Sequence, residues 1–538
     1  MRPFHSLIAL VAVLPGPIVS AQEHAHQGTE QLGRVVFPVS CSSEAQRRFE
    51  RAMAVLHSFW WEQGDNAFRA VLAADSSCAM AWWGLAMNSW GNPFAGGPSG
   101  EALAKGREAA ERARMMGGKT SREAGFIAAG GALYHDASSS SSAARLRAYS
   151  DTLARVHQAH PDDEEVAIYY ALSLVATAPP TDTTYARQKQ AAALLNPLFV
   201  RHADHPGLAH YIIHANDSPK LAHLGLDAAR RYARIAPSAP HAQHMPSHIF
   251  VRLGMWDETI ASNRKAFEAG VAYARAQRLR GVQGEQLHAL DYAVYSYLQQ
   301  GRDRDARQAV QTADSLSTAA LMATVVGGYN RTAMALRIPL ERGEWERAAA
   351  VPPPGPSALP MAAMLVRFAR GIGSARSGKV ALGRAEVAAL DSITKVFASR
   401  SEPDWARISD IKRQAVEAWV RFAAGDTTGG LTLAHAAAEL EDVTEKKAVT
   451  PGELLPAREL EADMHLAAGH FAAGRAAYLK TLDREPGRAR SVFGAARAAE
   501  LAGDRAAAAA GYGQFLELMQ QGDGDRAEIT AARKFVAR

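Results

Sequence analysis

The stretches Ala468-Gly469-His470-Phe471-Ala472-Ala473-Gly474-Arg475-Ala476-Ala477-Tyr478 and Ala502-Gly503-Asp504-Arg505-Ala506-Ala507-Ala508-Ala509-Ala510-Gly511-Tyr512 lie in register, offset by 34 residues. Each begins at a glycine suited to ending one helix in the left-handed conformation and runs into an alanine-rich helix that reaches a tyrosine. Gly474 and Ala508 are the small residues expected where two helices approach closely, and Pro486 follows Tyr478 as a terminator.

That offset is the period of tetratricopeptide hairpins. The N-terminal part follows the same pattern, with Phe68, Val71 and Ser76 in the aromatic, small and terminator positions and Trp82 and Leu85 opening the next helix. Between these ends the punctuation recurs at Gly254, Gly301, Gly343, Gly378 and Gly425, with spacings that imply degenerate repeats. No run alternates long enough to form a sheet. The expected fold is all-α, a tetratricopeptide-like α-solenoid of antiparallel helical hairpins. A serine-rich loop at 137–142 and a Pro-Pro turn at 178–182 interrupt it. The prolines of Val351-Pro352-Pro353-Pro354-Gly355-Pro356 divide the expected solenoid into 22–350 and 361–538, with 351–360 read either as a hinge or as a long loop packed on the repeats.

Of 538 residues, 48% are hydrophobic and 21% charged, the composition of a globular chain and not a disordered one. Sixty basic against 55 acidic residues leave +5, spread along the chain, which gives a nucleic-acid partner little support. An apolar run from Leu7 to Val19, followed by Val19-Ser20-Ala21, reads as a signal peptide over 1–21. No later segment is apolar for long enough to span a membrane. No cysteine stands immediately after the expected cleavage point, so a lipid anchor is not indicated, and in a bacterium the periplasm is the favoured destination. Cys41 and Cys78 flank the first expected hairpin, whose ends lie close in space. A disulfide is therefore favoured over two merely buried thiols.

The functional residues are sought among the histidines, nine of which fall between His202 and His288. His210, His214 and Asp217 share one helical face at i, i+4 and i+7. His244 and His248 are four apart, with His241 three residues earlier; Pro246 fits a helix first turn, so His248 is placed on that helix and His241 and His244 on its approach. His288 and Asp291 lie three apart further on. If the first helices of successive repeats stand side by side, these imidazoles converge. His210, His214, His241, His244 and His248 are then candidate ligands for zinc, copper or iron. Asp217, His288 and Asp291 are candidates to complete or orient the set. A polar pocket without metal and ordinary structural histidines are the competing readings, and Asp217 before Ser218-Pro219 also reads as a helix cap. The sequence Gln22-Glu23-His24 offers a weaker amino-terminal metal site. Trp60, Trp61, Trp82, Trp83 and Trp90 are read as core, and Arg230, Arg231 and Arg234 as a solvated face. No phosphate-binding loop, dinucleotide fingerprint, Gly-x-Ser-x-Gly elbow or HExxH is present.

The segments Cys78-Ala79-Met80-Ala81-Trp82-Trp83-Gly84, His205 to His214, and Ala239-Pro240-His241-Ala242-Gln243-His244-Met245-Pro246-Ser247-His248-Ile249-Phe250 resemble a group of exported bacterial tetratricopeptide-repeat proteins. The resemblance extends to about Gln300 and implies the fold and export. It implies no activity. Two functions are expected from the sequence. The first is an exported scaffold that binds a protein or peptide partner on its concave face. The alternative is a metal-binding protein or metal-dependent enzyme built on the histidine cluster.

Overall fold

The computed structural model describes residues 30–279, 284–316 and 318–538. The expected signal peptide and the Gln22-Glu23-His24 site lie outside the described residues. Among the described residues the secondary structure is helical throughout, with no strand. Successive helices pack on one another as antiparallel hairpins, a tetratricopeptide-like solenoid. No helix among the described residues is long and apolar enough to cross a membrane.

The glycines that punctuate the sequence end helices as expected: Gly254, Gly301, Gly343, Gly378, Gly425, Gly469 and Gly503 all have positive φ. At Gly254 a side chain is excluded twice over. Its φ is +68°, and a Cβ would come within 2.5 Å of the Pro486 carbonyl oxygen. That second contact joins positions more than 230 residues apart and points to the main departure from an open solenoid.

The C-terminal repeats close back on the centre. Trp256 Nε1 donates to the Gly487 carbonyl, Arg526 pairs with Asp303, and Arg488 donates to the Tyr295 hydroxyl. The helix Gly284–Gln299 is consequently covered on every side, with Gln286 through Gln299 all buried. A surface helix would keep a polar stripe in water; here the polar positions are taken up internally. Asp291 is chelated by Arg337 Nε and Nη2 at 2.7 and 3.2 Å, and Gln299 accepts from the Ala489 backbone N–H. The proline segment runs between the helices Trp345–Ala349 and Pro360–Arg376, which pack on each other, and one apolar cluster spans it from Tyr329 to Met464.

Cys41 and Cys78 form a disulfide that joins the start of the helix Ser43–His57 to the N-terminus of the helix Ala79–Trp90. Closing a loop of this length is worth about 4 kcal/mol on the chain-entropy model. The Cys41→Ser, Cys78→Ser variant is expected to lose about 2–4 kcal/mol in denaturant unfolding followed by a probe in the N-terminal repeats. Full retention of the midpoint would show that the bridge does not restrain the unfolded chain. Trp60, Trp83 and Trp90 lie in the core, and Trp61 and Trp82 pack against it.

Candidate metal centre

Two short helices and two longer ones bring the histidines together. The helix Pro206–Asn216 carries His210 and His214; Pro240–His244 carries His241 and His244; Pro246–Arg252 carries His248; and Gly284–Gln299 carries His288. Proline stands in the first turn of the first three, where its missing N–H costs nothing. His241 and His244 were expected on an irregular approach to the following helix. They lie instead on a five-residue helix of their own, started by Pro240.

The six rings form two abutting triads, His210–His214–His241 and His244–His248–His288, with the ligating nitrogens of each within 4.8 Å of one another. Across the boundary, ring centroids are 6.1 Å apart for His214 and His248 and 6.0 Å for His241 and His244. None of the six residues is more than 8% exposed.

The hydrogen bonds assign the tautomers. His210 Nδ1 lies 2.7 Å from the His57 carbonyl oxygen, which only accepts, so Nδ1 holds the proton and Nε2 is bare. His241 Nδ1 donates to Glu285, and His248 Nδ1 donates to Asp217. His244 Nδ1 faces Asn263 Oδ1 at 2.6 Å, and Asn263 is turned that way because its amide N–H bonds Thr259. Asn330, held likewise through Val326, presents its oxygen to His288 Nδ1 at 3.5 Å. The bare Nε2 atoms are then left facing each other, His210 to His241 at 3.2 Å and His244 to His248 at 3.0 Å, and His214 brings its Nε2 to 3.1 Å from that of His210. Lone pairs opposed at this distance repel unless a cation lies among them. A tetrahedral ion about 2.0–2.1 Å from each imidazole nitrogen spaces them by about 3.3 Å.

Protons do not readily supply that cation. Burial pushes His210, His214 and His244 well below the usual imidazole range, with neighbouring histidines adding to it, and takes His288 down to about 4. The orienting carboxylates stay ionised. Burial raises Glu285, but His241 outweighs it and holds it down at about 2; for Asp217 burial is likewise outweighed, by Lys446 and Arg252. A carboxylate or carbonyl oxygen stands behind five of the six rings, all but His214, and this is the arrangement that fixes imidazoles as metal ligands.

A third group, His57–Glu165–His205, looks similar by distance and differs in its protons. His205 Nδ1 accepts from the Leu208 backbone N–H, so its Nε2–H donates to Glu165. His57 accepts from the Tyr211 hydroxyl at Nδ1 and donates to the other Glu165 oxygen. Every polar atom of this group is satisfied without an ion. Its role is to fix the His57 carbonyl that orients His210.

All five histidines expected as ligands meet here. His288, expected to support them, stands among them with its own nitrogen in the second triad. Asp217 lies just past its helix and orients His248 while pairing with Arg252. Asp291, expected beside His288, points away into the Arg337 ion pair and has no part in the pocket. Glu285, Asn263, Asn330, Phe59, Phe94, Tyr292 and Lys446 were not legible as site residues. Of these Glu285 and Tyr292 carried a local signal, one helical turn before and after His288 on the same helix. Phe59 and Phe94 cover the first triad, Phe94 stacking on His214 with centroids 4.2 Å apart. Tyr292 packs on His244, His248 and His288, and its hydroxyl donates to the carbonyls of Ala448 and Thr450. Lys446, from the same closing segment, is buried 3.7 Å from Asp217.

The fold is thus that of a helical-repeat protein. No family model matches the chain. No curated protein matches it. Among solved structures it is similar to the human IFIT1 dimer with m7Gppp-AAAA, at 11% identity over 78% of this chain and 86% of that one, with a TM-score of 0.35. It is also similar to yeast Tom70, at 10% identity over 92% and 96% of the two chains, with a TM-score of 0.34. These are distant likenesses, and the pocket rests on this chain's own residues.

Proposed function

We propose that this protein binds two transition-metal ions, one in each histidine triad, and that the adjoining pair of ions is its working centre. The observation that carries the reading is two pairs of bare Nε2 atoms, His210 with His241 at 3.2 Å and His244 with His248 at 3.0 Å, opposed while all four Nδ1 atoms are committed as donors. An all-imidazole donor set suits copper, zinc or iron and does not suit calcium or magnesium. His210, His214 and His241 would hold one ion and His244, His248 and His288 the other. Ions so placed supply Lewis acidity or, if redox-active, electron transfer to a bound molecule.

The alternative of a scaffold for a protein or peptide partner draws on the helical repeats. Against it weighs the closed centre, since Gly284–Gln299 is buried along its length and the segment at Ala448 packs on its Tyr292. Export to an oxidising compartment is part of the proposal and is supported by the disulfide.

Metal content of untagged protein, measured by inductively coupled plasma mass spectrometry, tests the reading and identifies the element. Two ions per chain are expected in the parent. One is expected in His214→Ala and one in His248→Ala, with helicity unchanged in both. Metal-free parent protein after folding with copper, zinc and iron supplied would overturn it.

A further inference from the structure

Next to the first triad lies a second space that the metal ligands do not use. It is an apolar cavity walled by Leu56, Phe59, Leu133, Tyr169, Leu172 and Tyr211, and it reaches the half-buried loop at Gly91 and Pro93. It is narrow, with room for about two water-sized molecules. The surface it presents is almost wholly apolar, and the polar groups nearest it are the Tyr149 and Tyr169 hydroxyls and the Trp90 indole N–H, on lining residues, which are buried without a hydrogen-bond partner and are where a competing water would bind.

Phe59 is the wall between this cavity and the histidines. Its ring lines the cavity on one side and meets His210, His241 and His214 on the other, with centroids 4.4, 5.5 and 5.9 Å apart. Its backbone has φ +50°, in the left-handed region that a bulky residue avoids. Such a conformation is strained and persists where the surroundings over-determine it. Here it places a buried aromatic ring, 3% exposed, between the helices Ser43–His57 and Trp61–Ala74 and against three imidazoles.

We propose that the cavity is a site for a small apolar molecule of the size and polarity of dioxygen, which enters at the Gly91–Pro93 loop and reaches the histidine pocket past the Phe59 ring. The occupant is set by the dimensions: the space is too narrow for an aromatic ring and too apolar for an anion. That the molecule is destined for bound metal rests on the function proposed above; the cavity and its partition do not.

Xenon is the probe, since it has the same size class and is directly visible in diffraction from pressurised crystals of metal-free protein. The parent is expected to hold xenon between Phe59, Tyr169 and Leu172. Ala176→Phe, which fills the cavity from its lining, is expected to abolish that peak while leaving two metal ions per chain in the loaded protein. Phe59→Gly removes the ring at a backbone conformation glycine accepts and is expected to extend the xenon site to the His210 ring. Ordered water on the Tyr149 and Tyr169 hydroxyls in place of xenon would overturn the proposal. So would a xenon site in Phe59→Gly that stays where it was. Metal failing to bind while xenon binds as described would sink the metal reading and leave the cavity standing.

Discussion

Metal-free protein taken from pH 7 to pH 5 is expected to unfold. His210, His214, His244, His248 and His288 are buried and neutral, and burial lowers all five below the ordinary value near 6.5, His288 to about 4. In the unfolded chain they titrate near 6.5. Between these limits the unfolded state binds protons that the native state does not, so stability is full above pH 6.5 and falls as the pH drops. Each such histidine removes up to about 1.4 kcal/mol per pH unit, and five together on the order of 7 kcal/mol per unit as a ceiling. That is comparable to the whole stability of many domains. Circular dichroism on chelator-treated protein should place the midpoint between about pH 5 and 6, and bound metal should move it downward because protons must then displace the ion. A chelated protein that stays folded at pH 4 would mean the rings are already protonated or hydrated at neutral pH.

The second large effect is expected at Arg488. This guanidinium is fully buried and chelated by Glu459 at 2.7 and 3.0 Å, with Glu341 at 3.0 Å and the Tyr295 hydroxyl at 3.2 Å. It joins the helices Val325–Glu341, Gly284–Gln299 and Ala457–Ala467 to the start of Ala489–Leu501. Arg488→Met keeps volume, leaves the Glu341 carboxylate buried without its cation and leaves Glu459 with Arg490 alone, at a cost of about 3–5 kcal/mol. Most of that is the penalty of the stranded charges. Adding Glu459→Gln and Glu341→Gln should therefore recover a good part of it. Denaturant midpoints of the single and triple variants measure both, and a single variant within 1 kcal/mol of the parent would show that water reaches the site.

The repeat architecture was legible because it is written locally: a glycine with positive φ ends a helix wherever it stands, and the 34-residue register of Gly469 and Gly503 needs no tertiary knowledge. The histidines were legible for the same reason, being a turn apart on single helices. What the sequence hid is long-range. Asn263 and Asn330 meet His244 and His288 across 19 and 42 residues, and neither position differs locally from an ordinary polar site. Asp291 shows the converse error. Its place one turn from His288 suggested a shared task, but the helix is buried all round, and Arg337 claims the carboxylate from the opposite side.

The closing of the ring by its last helices also fixes an order of assembly. Stacked repeats bury their faces as each neighbour is made, but the helix Gly284–Gln299 waits for partners as late as Arg526, whose guanidinium reaches back to the Leu298 carbonyl. Until the segment around Thr450 is in place, Tyr292 lacks the carbonyls of Ala448 and Thr450, and the second triad stands open on the flank those residues later cover. If the triads hold metal as proposed, an ion would enter then without any part of the native structure opening, and would afterwards leave only at the pace of that opening.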